Sequence, residues 1–293
     1  MKNTFVLFTL FFSVFSVSAE KVAFDFAYLP DKTYAFAQEV DVDMKMPNPL
    51  GAGDMMNTIT ELGMDTKLVT SEHEKGLKVV MSFDKMVMDT KMNGVSMLTY
   101  DSSAEDAEAN PVSGMLKPLT EIEVTSYFSK EGDFLEMEEI KEQAALKLAG
   151  FSADQFEQMV DPSMMLPKEP VEIGETWVAE QSFPLGSLSQ ESMSISLNCK
   201  FEGVEDLDGI ECAKVSYSSD LDLEFTEGGQ TLRIKSNTFK GSYWHDNSLK
   251  FTRKTTLYAD MVLSPPVGTE VEEGGLGEIP YKMRTEVKLL EVK

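Results

Sequence analysis

Residues 34–46 alternate strictly: Tyr34, Phe36, Gln38, Val40, Val42, Met44 and Met46 fall on one side, and Ala35, Ala37, Glu39, Asp41, Asp43 and Lys45 on the other. Successive side chains of a β-strand point to opposite faces, so this spacing dictates a strand with one largely apolar face and one wet face. The pattern recurs over residues 215–225, where Val215, Tyr217, Leu221, Leu223 and Phe225 oppose Ser216, Ser218, Asp220, Asp222 and Glu224. Further strands fit residues 77–83, 122–128, 134–138, 194–201, 231–240, 249–263 and 281–292. One-sided strands of this kind belong to antiparallel sheets. Several exceed the usual length of about 5–6 residues, which favours long curved antiparallel sheets or an open barrel over an immunoglobulin-like sandwich.

Helix is confined to the middle of the chain. Residues 138–149 have helical periodicity and stop at Gly150, and Ser152 with Gln155 three positions on forms a capping box. A second helix then runs to about Met159 and is stopped by Pro162. The spacing thus predicts a small helical insert near residues 138–160 in a mainly β chain, with one more helical turn at 111–116. Residues 101–110 are acidic and polar and suit a loop, while Gly51 and Gly53 leave 50–64 without a clear assignment. The proline-rich run 162–170 divides the chain into a strand-rich half, residues 20–161, and an antiparallel β half, residues 171–293.

Residues 1–19 read as a secretory signal peptide. Lys2 precedes an apolar run from Phe5 to Val17, and the small residues Ser18 and Ala19 suit cleavage before Glu20. The run is shorter than the ~20 apolar residues of a spanning helix, and no cysteine lies beside the cut to carry a lipid. The expected destination is periplasmic or extracellular. A net charge of −24, which becomes −25 once Lys2 leaves with the leader, argues against nucleic acid and anionic membrane surfaces as partners.

In an oxidising compartment the pair Cys199 and Cys212 favours a structural disulfide over a metal site, which would want four ligands. A tight turn at Asp208-Gly209 sets Cys199 opposite Ser218 instead, so direct pairing needs a wider loop or a bulge at Gly203. His73 and His245 both fall in segments that read as solvated turns, so neither suits a Ser–His–acid triad. With 50 carboxylates no acid pair stands out, and no phosphate-cradling glycine motif occurs. Neither catalytic nor metal-binding residues, and no cofactor, are assigned. Ten of the 19 methionines lie between Met44 and Met97, and the Met-x-Met pairs Met44/Met46 and Met86/Met88 each share a strand face. Soft sulfur ligands suit Cu(I), but strand patterning explains these positions as core or as an apolar ligand face.

The run Leu166-Pro167-Lys168-Glu169-Pro170-Val171-Glu172-Ile173-Gly174-Glu175-Thr176-Trp177 joins two chain-stopping prolines, a turn glycine and an aromatic strand opener. This run, with residues 201–215, resembles the bacterial exported family known as domain of unknown function 6263. The resemblance implies structural roles for Pro167, Pro170, Gly174 and Trp177 and carries no activity with it. A weaker analogy, at the level of fold, is to the Lol-type lipoprotein carriers, in which a curved sheet wraps an apolar cavity closed by helices. The favoured function is a non-enzymatic binding or carrier protein of the bacterial envelope, for an apolar small molecule or lipid. The alternative from another class is a structural or protein–protein interaction module.

Overall fold

The computed structural model describes residues 21–47, 55–105, 107, 110, 112–140, 153–184, 192–227, 230–265 and 277–293. The first half supplies β1 (Thr33–Pro47), β2 (Met55–His73), β3 (Gly76–Met92), β4 (Val95–Asp101), β5 (Glu123–Phe128) and β6 (Phe134–Met137). The second supplies β7 (Thr176–Pro184), β8 (Ser192–Leu207), β9 (Ile210–Ser218), β10 (Asp222–Glu227), β11 (Gln230–Asp246), β12 (Phe251–Ser264) and β13 (Ile279–Val292). Between β4 and β5 lies α1 (Ser113–Glu121), and between β6 and β7 lie α2 (Ala153–Val160) and a 3-10 turn, Pro162–Met165.

Among the described residues, all 13 strands join one antiparallel sheet in the order β6-β5-β3-β2-β1-β13-β12-β11-β9-β8-β7. The sheet is open, with β6 and β7 at its ends. The first and last strands pair at its middle, from Tyr34 opposite Val292 to Met44 opposite Tyr281, so the two halves of the chain are the two wings of a single sheet. The wings branch alike. β4 and β5 lie in line along successive parts of β3, and β10 and β9 do the same along β11.

The alternation seen in the sequence decides the faces. On β1 the buried or half-buried set is Tyr34, Phe36, Gln38, Val40, Val42 and Met44, while Glu39, Asp41, Asp43 and Lys45 are exposed. Two apolar cores lie on the same, inner face, one around Tyr34, Leu68, Met81 and Phe128, the other around Leu197, Phe201, Val215 and Tyr243. The sheet must curl to close over them. Met81 of β3 and Gln181 of β7 line one cavity, although eight strand steps separate their strands, roughly 38 Å in a flat sheet at the usual spacing.

An extended strap, residues 21–30, ties the cores together. Phe24 packs into the second core, and Phe26 and Tyr28 into the first. Val22 bridges Val171, the Ala27 N–H donates to the Lys250 carbonyl at 3.1 Å, and the Tyr28 hydroxyl donates to the Val160 carbonyl at 2.5 Å.

Several expectations need correction. The long β2 covers residues 55–64, which the sequence left unassigned. The strand expected over 215–225 is interrupted at residues 219–221 and resumes as β10, beside the place where β11 shifts register between Ser236 and Thr238. The helical turn expected at 111–116 is a two-turn helix reaching Glu121, whereas residues 138–140 are not helical. The rest of the first expected helix, the start of its successor and the leader lie outside the described residues.

The disulfide is not formed, and both thiols are free and buried. Register explains why. A bulge between Phe201 and Gly203 shifts the β8–β9 pairing by a single residue, leaving Cys199 opposite Tyr217 and Cys212 opposite Glu205. Five residues of strand then separate the two levels, roughly 17 Å, where a disulfide needs Cα atoms within about 7 Å. Burial holds the Cys199 thiol up at about 12 and that of Cys212 at about 11, so both stay protonated.

Candidate functional site

Among the described residues the inner face is covered incompletely. Between the middle of the sheet and the helical insert lies a cavity of about 320 Å³. Its floor is built from Phe36 and Gln38 of β1, Met64, Thr66 and Leu68 of β2, and Val287 and Leu289 of β13, with Phe251 and Thr255 of β12 beside them. These positions are cross-strand neighbours: Phe36 faces Thr66 and Leu289, and Gln38 faces Met64 and Val287. The roof is Met159 of α2 with Pro162, Met164 and Met165 of the 3-10 turn. Five methionines thus line the space (Met64, Met81, Met159, Met164 and Met165), and their unbranched, polarizable chains suit a surface that must adapt to an apolar occupant.

Three aromatic donors hold the roof. Tyr28 caps the Val160 carbonyl at the end of α2, while the Trp177 indole and the Tyr243 hydroxyl donate to the Met165 carbonyl at 3.1 and 3.2 Å. The proline-rich motif positions the first strand of the second wing beneath it. Glu175 N–H donates to the Glu172 carbonyl at 2.9 Å across a turn whose third residue, Gly174, has φ +89°, a conformation glycine adopts without strain. Gly174 N–H then donates to the Phe201 carbonyl at 2.7 Å, and Trp177 packs beside Phe24. Pro167 is buried and Pro170 exposed at the start of this turn.

The apolar floor runs on beyond the roof. Val40, Val42 and Met44 continue the face of Phe36 and Gln38, flanked by Leu62 and Met88 on one side and Met283 and Leu257 on the other, all half-exposed. Of the methionines singled out in the sequence, Met86 is core at 1% exposure, Met88 and Met44 stand on this strip, and Met46 holds the next position of its strand face. Met44, Met86 and Met88 do not line the cavity. Adjacent Met-x-Met pairs were the visible local signal, whereas the cavity draws its methionines from three distant segments.

Polar side chains also line the cavity. Thr66, Asp161, Gln181, Thr252 and Arg253 line it, and the Arg253 Nε–H donates to Asp246 at 2.7 Å. Burial alone would raise the Asp246 carboxyl, but the Leu249 N–H, the Arg253 guanidinium and the Ser248 N–H together hold it below its ordinary value, and the two N–H groups shape the β11–β12 turn.

His245 is fully buried, contrary to the expected solvated turn, because the strap passes over it. Its Nε2–H donates to the Asp25 carbonyl at 2.9 Å, and its Nδ1 faces the Thr252 hydroxyl at 3.4 Å. Burial pushes its pKa down to about 4. The unfolded chain, with histidine near 6.5, therefore takes up the proton first. This contribution to stability is complete above pH ~6.5 and is lost as pH falls toward 4, a change of roughly 3 kcal/mol. Urea unfolding at stepped pH should show a stability slope over this window that His245→Gln, able to keep the bond to Asp25, flattens. Parallel profiles would contradict it. His73, at the end of β2, is half-buried against the Tyr127 ring.

A second depression, about 820 Å³, crosses the outer face of the second wing between Thr176 and Glu286. It is walled by exposed Lys200, Lys240 and Arg284 and by short hydroxyl side chains. Nothing roofs it. Among the described residues no group of three or more His, Cys, Asp or Glu is placed to hold a metal ion, and no helix is long and apolar enough to cross a membrane.

No family model matches the chain, and no curated protein is similar to it. Among solved structures it is similar to lipovitellin in a structure of its lipid–protein interactions, with TM-score 0.52 at 11% identity. That alignment covers 91% of this chain but only 26% of lipovitellin, so the chain spans about a quarter of that protein. A protein with a YmcC-like fold from Bacteroides fragilis aligns over 93% of this chain and 100% of its own, at 11% identity and TM-score 0.29.

Proposed function

We propose that the chain is a non-enzymatic carrier that holds an apolar ligand between the inner face of the sheet and the helical insert, and that its leader sends it to the bacterial envelope. The observation that carries this reading is the roofed, methionine-lined cavity continuous with a half-exposed apolar strip. A chain of alternating strands could have filled that space with side chains; here Thr66, Gln38 and Val287 leave it open. The cavity sits at the lower end of the ~300–1,000 Å³ typical of ligand sites. The fold shared with lipovitellin, a protein solved for its lipid–protein interactions, supports a lipid as the apolar ligand.

The reading predicts that an environment-sensitive alkyl-chain dye binds one to one and that dodecanol displaces it. Each buried methylene contributes about 0.8 kcal/mol, so a twelve-carbon chain gains roughly 10 kcal/mol before ordering costs, enough for binding in the range of about 10–100 μM. Val287→Trp, which fills the cavity from a half-buried position, should weaken binding at least about tenfold, equivalent to ~1.4 kcal/mol, without lowering the melting temperature. Binding unchanged by that substitution would remove the cavity from the account.

A further inference from the structure

The roofed cavity is one end of a longer apolar seam, and the seam bears on the length of chain the protein takes. Past the roof, the inner face of β1 continues from Gln38 through Val40, Val42 and Met44, the last three half-exposed among the described residues. Val40 faces Leu62 and then Met88 on one side and, across Thr285, Leu257 on the other, while Val42 faces Met283. Leu62 and Met88 pack against the first core, and Leu257 and Met283 against the second. Val40, Val42 and Met44 lie between and belong to neither core. The seam is thus walled by one wing on each flank and floored by the strand at which the wings join.

Contiguous apolar surface of this kind is seldom left to water. Its continuity with the cavity names the occupant, because a chain that enters under the roof at Gln38 meets Val40 next on the same strand face. From Gln38 to Met44 the strand advances roughly 20 Å. With C–C bonds of ~1.5 Å, an extended alkyl chain needs at least about 13 carbons to run that far, beyond those held under the roof. Resting on the carrier reading, we propose that the ligand is a long-chain lipid, of about sixteen carbons or more, whose chain leaves the cavity and lies in the seam along Val40, Val42 and Met44. Medium-length chains use the roofed end alone.

Displacement of the alkyl dye by n-alkanols of about 8 to 16 carbons, supplied from a common cyclodextrin reservoir and referred to free alkanol, tests this. A fully buried methylene raises affinity about fourfold, and one covered on a single side about twofold. Affinity should therefore keep rising past dodecanol, with hexadecanol at least about tenfold tighter. The double variant Val40→Thr, Val42→Thr keeps the shape and β-branching of both side chains but places two hydroxyls in the seam. It should cut that gain to about threefold or less and leave octanol affinity unchanged, whereas Val287→Trp should weaken every length. Affinity that levels off at or below dodecanol, or a gain that the double variant leaves intact, overturns the long-chain inference and leaves the carrier reading standing. No dye bound and no displacement at any length overturns both.

Discussion

Replacing Phe251 by alanine is expected to cost about 3–5 kcal/mol and to loosen both wings together. Phe251 opens β12 and so belongs to the second half of the chain, yet its ring packs into the first core. It lies 5.0 Å from the Tyr34 ring, 5.3 Å from Phe26, 5.4 Å from Tyr28 and 5.8 Å from Phe36. Those partners come from the strap and from β1, so one side chain joins the strap, the middle of the sheet and the cavity floor. A substitution in an ordinary core position would loosen one cluster; this one also removes an aromatic contact across the β1–β13 junction of the wings. Urea unfolding followed by tryptophan fluorescence, which reports Trp177 and Trp244 in the second wing, and by far-UV circular dichroism, which reports both, should shift together. A loss below about 1 kcal/mol would show that the wings hold without it.

Gly241→Ala is the second large effect. Gly241 lies on β11 opposite both Tyr217 and Leu257, and the Tyr217 ring crosses over it to donate its hydroxyl to the Thr256 carbonyl at 2.8 Å. An added Cβ would stand 2.1 Å from that carbonyl oxygen and 2.3 Å from the ring. The ring could swing aside only by giving up its half-buried hydrogen bond, and the backbone oxygen cannot swing at all. Overpacking usually costs about 1–3 kcal/mol, and with a backbone atom in the way the loss should reach the upper end or prevent folding. The control is Gly209→Ala, where nothing lies within 4 Å but φ is +85°, so only backbone strain of about 1 kcal/mol is expected. Thermal melts that rank the two substitutions the other way would contradict the packing of Tyr217.

The fold was legible where physics is local. Alternation in β1 named its buried face from Tyr34 to Met44, and the antiparallel, one-sided sheet follows from many such strands. β2 was not legible from residue 55 to 64 because its inner face there mixes Met56, Thr58, Thr60 and Leu62 with a mid-strand Gly63, which blurs the contrast between faces. What failed were statements that depend on partners far along the chain. His245 reads as a turn residue until residues 21–30, more than 200 positions earlier, are laid over it. The cysteine pairing depended on how far one bulge would shift two strands. The cavity was half legible: an apolar, methionine-rich sheet face was readable, but Met64, Met81 and the roof residues Met164 and Met165 converge only when the sheet curls. The polar lining residues Thr66 and Asp161 left no signal at all, since a threonine in a strand and an aspartate before a proline are ordinary locally.

The central claim is that an apolar chain occupies the space between sheet and insert. Photolabelling with a dodecanol analogue bearing a diazirine near the end of its tail, followed by peptide mass spectrometry, tests it at the residue level. The account predicts labels on the roof methionines Met159 and Met164 and on Val40, Leu62 or Val287 of the floor, lost in the Val287→Trp variant. Labels scattered over the outer face, or concentrated at exposed Val95 and Met97 on β4, would contradict it.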